Sequence, residues 1–302
     1  MSLTPRLGRE NFMNKPSWLK RRIESGPGIQ EVLGIVKNSN IHTVCQEARC
    51  PNLGECFSQK TATFLILGNC CTRNCRFCAV KNGVPGKPDP KEPALVAEAA
   101  KNMGLHYVVI TSVTRDDLSD GGAAIYARTI QEIRKTILYA LIEVLIPDFM
   151  GQEEALRKVA GVCPDVINHN IETVSRLYSS VRPQAGYRRS LWILSRIREI
   201  NPHIHTKSGI MLGLGEEPEE IRHTMQDLLS AGCQILTIGQ YLQPSKDHLK
   251  VQRFVTPEEF EYWRKTAQDM GFSAVTSGPF VRSSYHAGEI YRSIERIGMS
   301  TC

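Results

Sequence analysis

Cys71-Thr72-Arg73-Asn74-Cys75-Arg76-Phe77-Cys78 gathers three thiols in a C-x3-C-x2-C array just after the apolar run Thr63–Leu67. Three thiolates this close, with no histidine and no fourth cysteine at zinc spacing, suit one face of a cubane iron–sulfur cluster better than a closed tetrahedral site. Such a face leaves one iron open to another ligand. A zinc knuckle or an incidental cysteine cluster is the plainer reading of the same spacing. Upstream, Cys45, Cys50 and Cys56 form a second array, C-x4-C-x5-C, again with three thiols and no evident fourth.

Of the ten cysteines in 302 residues, six fall in these arrays, and no secretory leader precedes them. That usage points to a reducing compartment, taken as the cytoplasm, and away from a disulfide scaffold. Cys70, Cys163, Cys233 and Cys302 lie outside the arrays and read as small apolar residues, although Cys70 abuts Cys71. The formal charge of +6 comes from scattered Lys and Arg with no arginine-rich or RNP-like motif, which argues against nucleic acid. A mildly basic surface equally suits an acidic protein partner. The longest apolar run, Leu138–Ile146, is broken by Glu143 and too short to cross a bilayer, so no membrane segment is expected.

The elements that must position these residues read as alternating strands and helices, the pattern of βαβ units on a parallel sheet. Strands are expected at Thr63–Leu67, Tyr107–Thr111, Leu141–Ile146, Asp165–Asn168, Ile204–Met211 and Gln234–Ile238. Helices are expected through Ala94–Ala100, Gly122–Thr136, Ser190–Ile200 and Pro257–Met270. Residues 1 to about 57 read as an irregular, polar stretch, with the basic Lys20-Arg21-Arg22 as a solvated face and the first array in a Pro/Gly-containing loop.

The first array with Phe77 resembles the C-x3-C-x-aromatic-C signature of the radical SAM superfamily. The pair of arrays, together with Arg282-Ser283-Ser284-Tyr285-His286-Ala287, resembles the R-S-S-Y-x-A pattern of the lipoyl synthase family. The resemblance implies an α/β fold: a partial (β/α)6 TIM-type barrel with an N-terminal cluster-bearing extension and a short C-terminal extension. The boundaries are then residues 1–57, 58–275 and 276–302. In such a barrel the chemistry sits at the C-terminal ends of the strands.

The resemblance further implies two [4Fe-4S] clusters and S-adenosylmethionine (SAM), cleaved to a 5′-deoxyadenosyl radical. Cys71, Cys75 and Cys78 would hold the SAM cluster. Cys45, Cys50, Cys56 and Ser284 would hold an auxiliary cluster that donates sulfur. Thr111, the Gly121 backbone, Asn170, Glu172 and Arg182 or Arg188 are expected around SAM, as is the Gly209–Glu216 segment beside adenine. Ala123 stands where the family pattern has an acid, leaving backbone carbonyls to accept the SAM amine. Helix capping is the competing reading for Asn170 and Glu172, and surface ion pairing for the arginines. His42, His169, His205 and His286 read as structural, since radical abstraction needs no base. The implied reaction puts sulfur at C6 and C8 of an octanoyl chain on a lysine of a lipoyl domain or glycine-cleavage H protein, with reduced ferredoxin or flavodoxin as electron donor. If Arg282–Tyr285 is extended, only one of Ser283 and Ser284 faces the cluster, and family likeness selects Ser284. Other radical SAM sulfur inserters, and a scaffold that merely stores clusters, are the alternatives.

Overall fold

The computed structural model describes residues 15–20 and 26–300, the last six by backbone alone. Arg21, Arg22 and Cys302 lie outside the described residues. A 3-10 turn at Ser17–Leu19 precedes helix α1 (Pro27–Asn38), strand β1 (His42–Thr43) and the short helices α2 (Val44–Glu47) and α3 (Leu53–Ser58). This corrects the expected irregular stretch up to residue 57. Helix α1 buries Ile29, Val32 and Val36 on one stripe, which Gly28 and Gly34 disguise in the sequence. Gly28 is there for contact: a Cβ would stand 2.8 Å from the Ser58 carbonyl oxygen at the end of α3.

The barrel begins with β2 (Thr63–Ile66), followed by a small ribbon of β3 (Cys70–Cys71) and β4 (Lys81–Asn82) that carries the start of the downstream cysteine array. Then come α4 (Glu92–Asn102), β5 (Tyr107–Ser112), α5 (Ala123–Thr136), β6 (Leu141–Leu145), α6 (Glu153–Ala160) and β7 (Val166–Asn168). Helices α7 (Tyr178–Val181) and α8 (Tyr187–Ile200) lead to β8 (His205–Leu212), α9 (Pro218–Ser230), β9 (Ile235–Gln240) and α10 (Pro257–Met270). Strand β10 (Ala274–Gly278) and helix α11 (Ala287–Ser300) complete the described chain.

The main sheet runs β1-β2-β5-β6-β7-β8-β9-β10, all parallel except β1, and its two ends do not pair with each other. It is therefore a partial barrel. The six expected strands are present within a residue or two of their expected ends; β10 adds a seventh parallel strand, and the boundary expected after residue 275 falls inside it. Every residue of β2 and β9 is buried, as parallel strands covered on both faces require. Helix starts are set by short-range chemistry. Glu217 and Glu220 form a capping box ahead of α9. Thr256 accepts from the Glu259 amide at 3.2 Å ahead of α10, with Pro257 in the first turn.

Inside the barrel, Lys207 on β8 donates to both carboxylate oxygens of Glu143 on β6, at 2.8 and 3.0 Å, and Tyr107 donates to Glu143 at 2.8 Å. Each ion is satisfied by its partner, which is the condition for tolerating charge in a core. After β10 the chain turns back down the open side of the barrel. Val281 lies against Gly239 at the C-terminal end of β9, Ser284 meets Thr63 at the start of β2, and Gly288 lies against Tyr107 at the start of β5. Ile290 then packs with Val166 and Ile235, so α11 covers the N-terminal end of the barrel.

Candidate active site

The downstream array is held from several sides. Thr72 donates its amide to the Thr114 carbonyl at 3.0 Å. The amides of Arg73 and Thr114 point at the Cys71 sulfur at 3.4 and 3.3 Å, donors of the kind that stabilise cluster-bound thiolate. Arg73, buried between Cys71 and Cys75, makes a two-point bond to Asp116 at 2.7 and 2.9 Å and reaches Asp148 at 2.6 Å. Arg189 grips the second oxygen of Asp148 at 3.1 Å. Although burial opposes ionisation, the Arg73 guanidinium holds the Asp148 carboxyl down at about 2. From the far side, His248 contacts the Cys78 carbonyl through Nε2 at 2.9 Å, and the Leu249 amide donates to the Arg76 carbonyl at 3.1 Å. Phe77 packs among Val181, Leu214 and Tyr241.

Beside this array lies a cavity of about 800 Å³. It is lined by Thr111 and Ser112 from β5, by Asn170, Glu172 and Arg182 beyond β7, and by Gly209–Met211 of β8. The Glu172 amide donates to the Gly209 carbonyl and the Met211 amide to the Glu172 carbonyl, both at 2.9 Å. The chain beyond β7 is thus extended along β8, with Glu172 at φ +66°, and opens no helix there. The capping reading of this pair is set aside. Burial raises the Glu172 carboxyl, against the pull of Arg182, Asn170 and Arg282. Four buried polar atoms of residues lining the cavity have no hydrogen-bond partner: Asn52 Oδ1, Ser112 Oγ, Asn170 Oδ1 and Arg182 Nε. Unsatisfied atoms of both donor and acceptor type fit a ligand carrying hydroxyl, amine and carboxylate groups.

Two expected residues are elsewhere. Gly121 is not part of the cavity wall: it turns at φ +59° with its Cα facing Phe149, while Asp120 accepts from the Gly122 and Ala124 amides to start α5. The wall at the end of β5 is built instead from Thr111–Thr114. Arg188 is exposed on α8 and does not line the cavity. Glu216 closes the glycine-rich bend after β8 by accepting from the Gly213 and Leu214 amides at 2.9 and 3.0 Å. Each histidine has structural partners: His42 with Glu47 at 3.2 Å, His205 against Tyr291, His286 with Glu289 at 2.9 Å, and His169 in a buried chain described below.

The upstream array borders the same cavity. Cys45 lies on α2, Cys56 on α3 and Cys50 between them. Burial, helped by the neighbouring Cys50 and Cys56, pushes the Cys45 thiol up to about 12; burial does the same to Cys78. A buried thiol of this kind ionises only with a cation to compensate it. Among the described residues no three His, Cys, Asp or Glu side chains stand close enough to hold a single ion.

The C-terminal segment joins the two sides. Asn170 donates to Ser283 Oγ at 2.6 Å, while Thr63 donates to Ser284 Oγ at 2.8 Å, and Thr63 also lies beside Cys45. The expectation of an extended Arg282–Tyr285 is corrected, because the segment is a turn. The two serine hydroxyls nonetheless part, Ser283 to Asn170 beyond β7 and Ser284 to Thr63 beside Cys45. Tyr285 donates to Glu55 at 2.8 Å, and Asn52 donates to the Phe280 carbonyl at 2.7 Å, fastening the segment to α3. Arg73, Asp148, Thr63, Asn52 and Glu55 were not singled out in the sequence. Arg73, Asn52 and Glu55 carried a signal there, lying inside the arrays; Asp148 and Thr63 carried none.

The Radical SAM superfamily profile matches residues 65–228. The lipoyl synthase of Caldanaerobacter subterraneus subsp. tengcongensis is 56% identical over 91% of this chain and 96% of its own length. The lipoyl synthases of Rubrobacter xylanophilus and Desulfotalea psychrophila are 54% and 55% identical, over 91% and 94% of this chain and 86% and 95% of their own lengths. Among solved structures, HydG, a maturase of the [FeFe]-hydrogenase, superposes with a TM-score of 0.57 at 16% identity, over 88% of this chain and 67% of its own. Streptococcus suis SuiB bound to S-adenosylmethionine does so with a TM-score of 0.57 at 11% identity, over 76% of this chain. The chain spans about half of SuiB, 54% of its length, and both likenesses concern the fold alone. Among the described residues no helix is long and apolar enough to cross a membrane.

Proposed function

Because the chain belongs to the lipoyl synthase family of the radical SAM superfamily, we propose that it inserts sulfur at C6 and C8 of an octanoyl chain held on a carrier-protein lysine. The observation that carries this reading is that both cysteine arrays border one cavity, which Ser283 and Ser284 also line, bonded to Asn170 and to Thr63 respectively. Cys71, Cys75 and Cys78 would hold a [4Fe-4S] cluster with SAM on its open iron. Cys45, Cys50, Cys56 and Ser284 would hold an auxiliary [4Fe-4S] cluster. When bound, these groups supply hydrogen-atom abstraction from unactivated carbon and the sulfur that replaces the hydrogen, chemistry beyond any protein side chain.

The chain's own residues bind, orient and exclude water. Arg182, Asn170, Glu172, Ser112 and Thr111 present the partnerless polar atoms and the charge that a SAM methionyl group and ribose require. Leu65, Val109, Leu145 and Ile210 give the cavity the apolar wall that an octanoyl chain fills. Ser284 suits a ligand that must leave, since an alkoxide is harder than thiolate and poorly matched to iron–sulfur. In this reading residues 1–57 and those after β10 are extensions that build the auxiliary site on the barrel. The carrier would be a lipoyl domain or a glycine-cleavage H protein, and the electron donor ferredoxin or flavodoxin. The test is mass spectrometry of an octanoylated lipoyl-domain peptide after anaerobic turnover with SAM and reductant. The expected product carries two sulfurs. Formation of 5′-deoxyadenosine with no sulfur on the peptide overturns the substrate, and absence of both overturns the reaction.

A further inference from the structure

Arg182 ends a chain of buried hydrogen bonds that none of the chemistry above requires. Its Nη1 donates to Tyr178 Oη at 3.0 Å and to the Asn170 carbonyl at 2.9 Å. Tyr178 donates to Ser190 Oγ at 2.9 Å, Ser190 meets His169 Nε2 at 3.0 Å, and His169 Nδ1 meets the Ile146 carbonyl at 2.9 Å. Tyr178, Ser190 and His169 are all buried.

The direction of every bond is forced. A carbonyl oxygen only accepts, so His169 Nδ1 carries a hydrogen toward Ile146. Burial drives His169 down to about 4, so the ring is neutral and Nε2 accepts. Ser190 must then donate to Nε2, which leaves its oxygen to accept from Tyr178. Tyr178, its hydrogen committed, has only lone pairs to offer Arg182. The tyrosine ring cannot swing away, because Tyr187 packs edge-on against it with centroids 5.3 Å apart, and Tyr187 is itself fixed by a 2.7 Å bond to Asp227.

With Nη1 committed to two acceptors, the guanidinium plane is set. Nε is left buried without a hydrogen-bond partner, on a side chain that lines the cavity. The geometry points to Tyr178, Ser190 and His169 as a positioning relay that aims the free edge of Arg182 at the carboxylate of SAM. This rests on the reading that the cavity takes SAM.

The test is a double-mutant cycle on anaerobically reconstituted protein. Dissociation constants for SAM and for decarboxylated SAM are measured, with melting temperature as a check on folding, in Arg182→Gln, Tyr178→Phe, Ser190→Ala and the pair Arg182→Gln/Tyr178→Phe. Arg182→Gln is expected to weaken SAM at least about tenfold, with little change for decarboxylated SAM. Tyr178→Phe, and Ser190→Ala should the first variant fold poorly, are expected to weaken SAM alone by about three- to tenfold. In the pair, Tyr178→Phe should add nothing to Arg182→Gln. An equal loss for both ligands, or a loss that adds to that of Arg182→Gln, makes the chain a packing feature and overturns the relay. An unchanged SAM affinity in Arg182→Gln overturns the role of Arg182 and the relay with it. Formation of 5′-deoxyadenosine by the unmodified protein separates that outcome from a failure of the SAM reading itself.

Discussion

Ser283 and Ser284 are neighbours whose hydroxyls answer to different partners, Asn170 and Thr63. Substitution should separate them. Ser284→Ala is expected to keep SAM cleavage and lose most sulfur insertion, whereas Ser283→Ala should raise the KM for SAM a few-fold with insertion per cleavage unchanged. Equal behaviour of the two in peptide mass spectrometry removes the assignment. The cysteines divide in the same way: Cys45→Ala, Cys50→Ala or Cys56→Ala should abolish insertion and leave 5′-deoxyadenosine formation, while Cys71→Ala, Cys75→Ala or Cys78→Ala stops both. His169 makes a pH prediction. Its folded value of about 4 lies below the ordinary 6.5 because burial disfavours the cation. The unfolded chain therefore binds the proton first, and stability, level above pH 6.5, falls as pH drops from 6.5 toward 4. At about 1.4 kcal/mol per unit, the protein should lose about 2 kcal/mol between pH 7 and 5 relative to His169→Gln, read by urea unfolding. A parallel pH dependence in both proteins refutes it. At this scale the sequence displayed the two cysteine arrays that border the cavity, because cysteine spacing is local. It did not display Asp148 or Thr63, whose partners lie 75 and 221 residues away.

The elements that carry the site meet at glycines. A Cβ on Gly239, at the end of β9, would lie 2.2 Å from the Val281 carbonyl oxygen, with no side chain free to yield. Gly239→Ala is therefore expected to push the C-terminal turn off the barrel wall, withdrawing Ser284 from the upstream array while the downstream array stays intact. Reconstituted iron should drop by about half with 5′-deoxyadenosine still formed; full iron and normal insertion would show that the turn tolerates the shift. Strands β2 and β5 to β9 were legible because buried parallel strands are nearly continuous apolar runs. Strand β10 was not, since none of its five residues is buried, and its Thr-Ser-Gly end looks like a loop. Helix α1 was hidden by its glycines, and α2 and α3 are too short for a periodic signal.

Across the molecule, two cysteine arrays separated in sequence border one cavity, and the segment that carries Ser283 and Ser284 is also the one that runs along the open side of the barrel. If each set holds a cubane, anaerobic reconstitution should give about eight irons per chain; a plateau at about four refutes the two-cluster reading. The parallel βαβ units could be read from alternation, and the partial barrel from family resemblance, but the covering of its open side could not, because it depends on a return segment with no periodic pattern of its own. That arrangement also dictates an order of assembly during translation. Of the residues that support the downstream cysteines, Arg73, Thr114, Asp116, Asp148 and Arg182 leave the ribosome in the first two-thirds of the chain, and His248 and Leu249 follow before Ser284. Ser284 follows Cys56 by more than two hundred residues. If Ser284 is the fourth ligand, the upstream thiols, at about 5–20 residues per second, wait roughly ten to fifty seconds for it. Through that interval the nascent chain can offer iron one supported three-thiol site and one unfinished site, so the birth order of the residues favours loading the SAM-side set first.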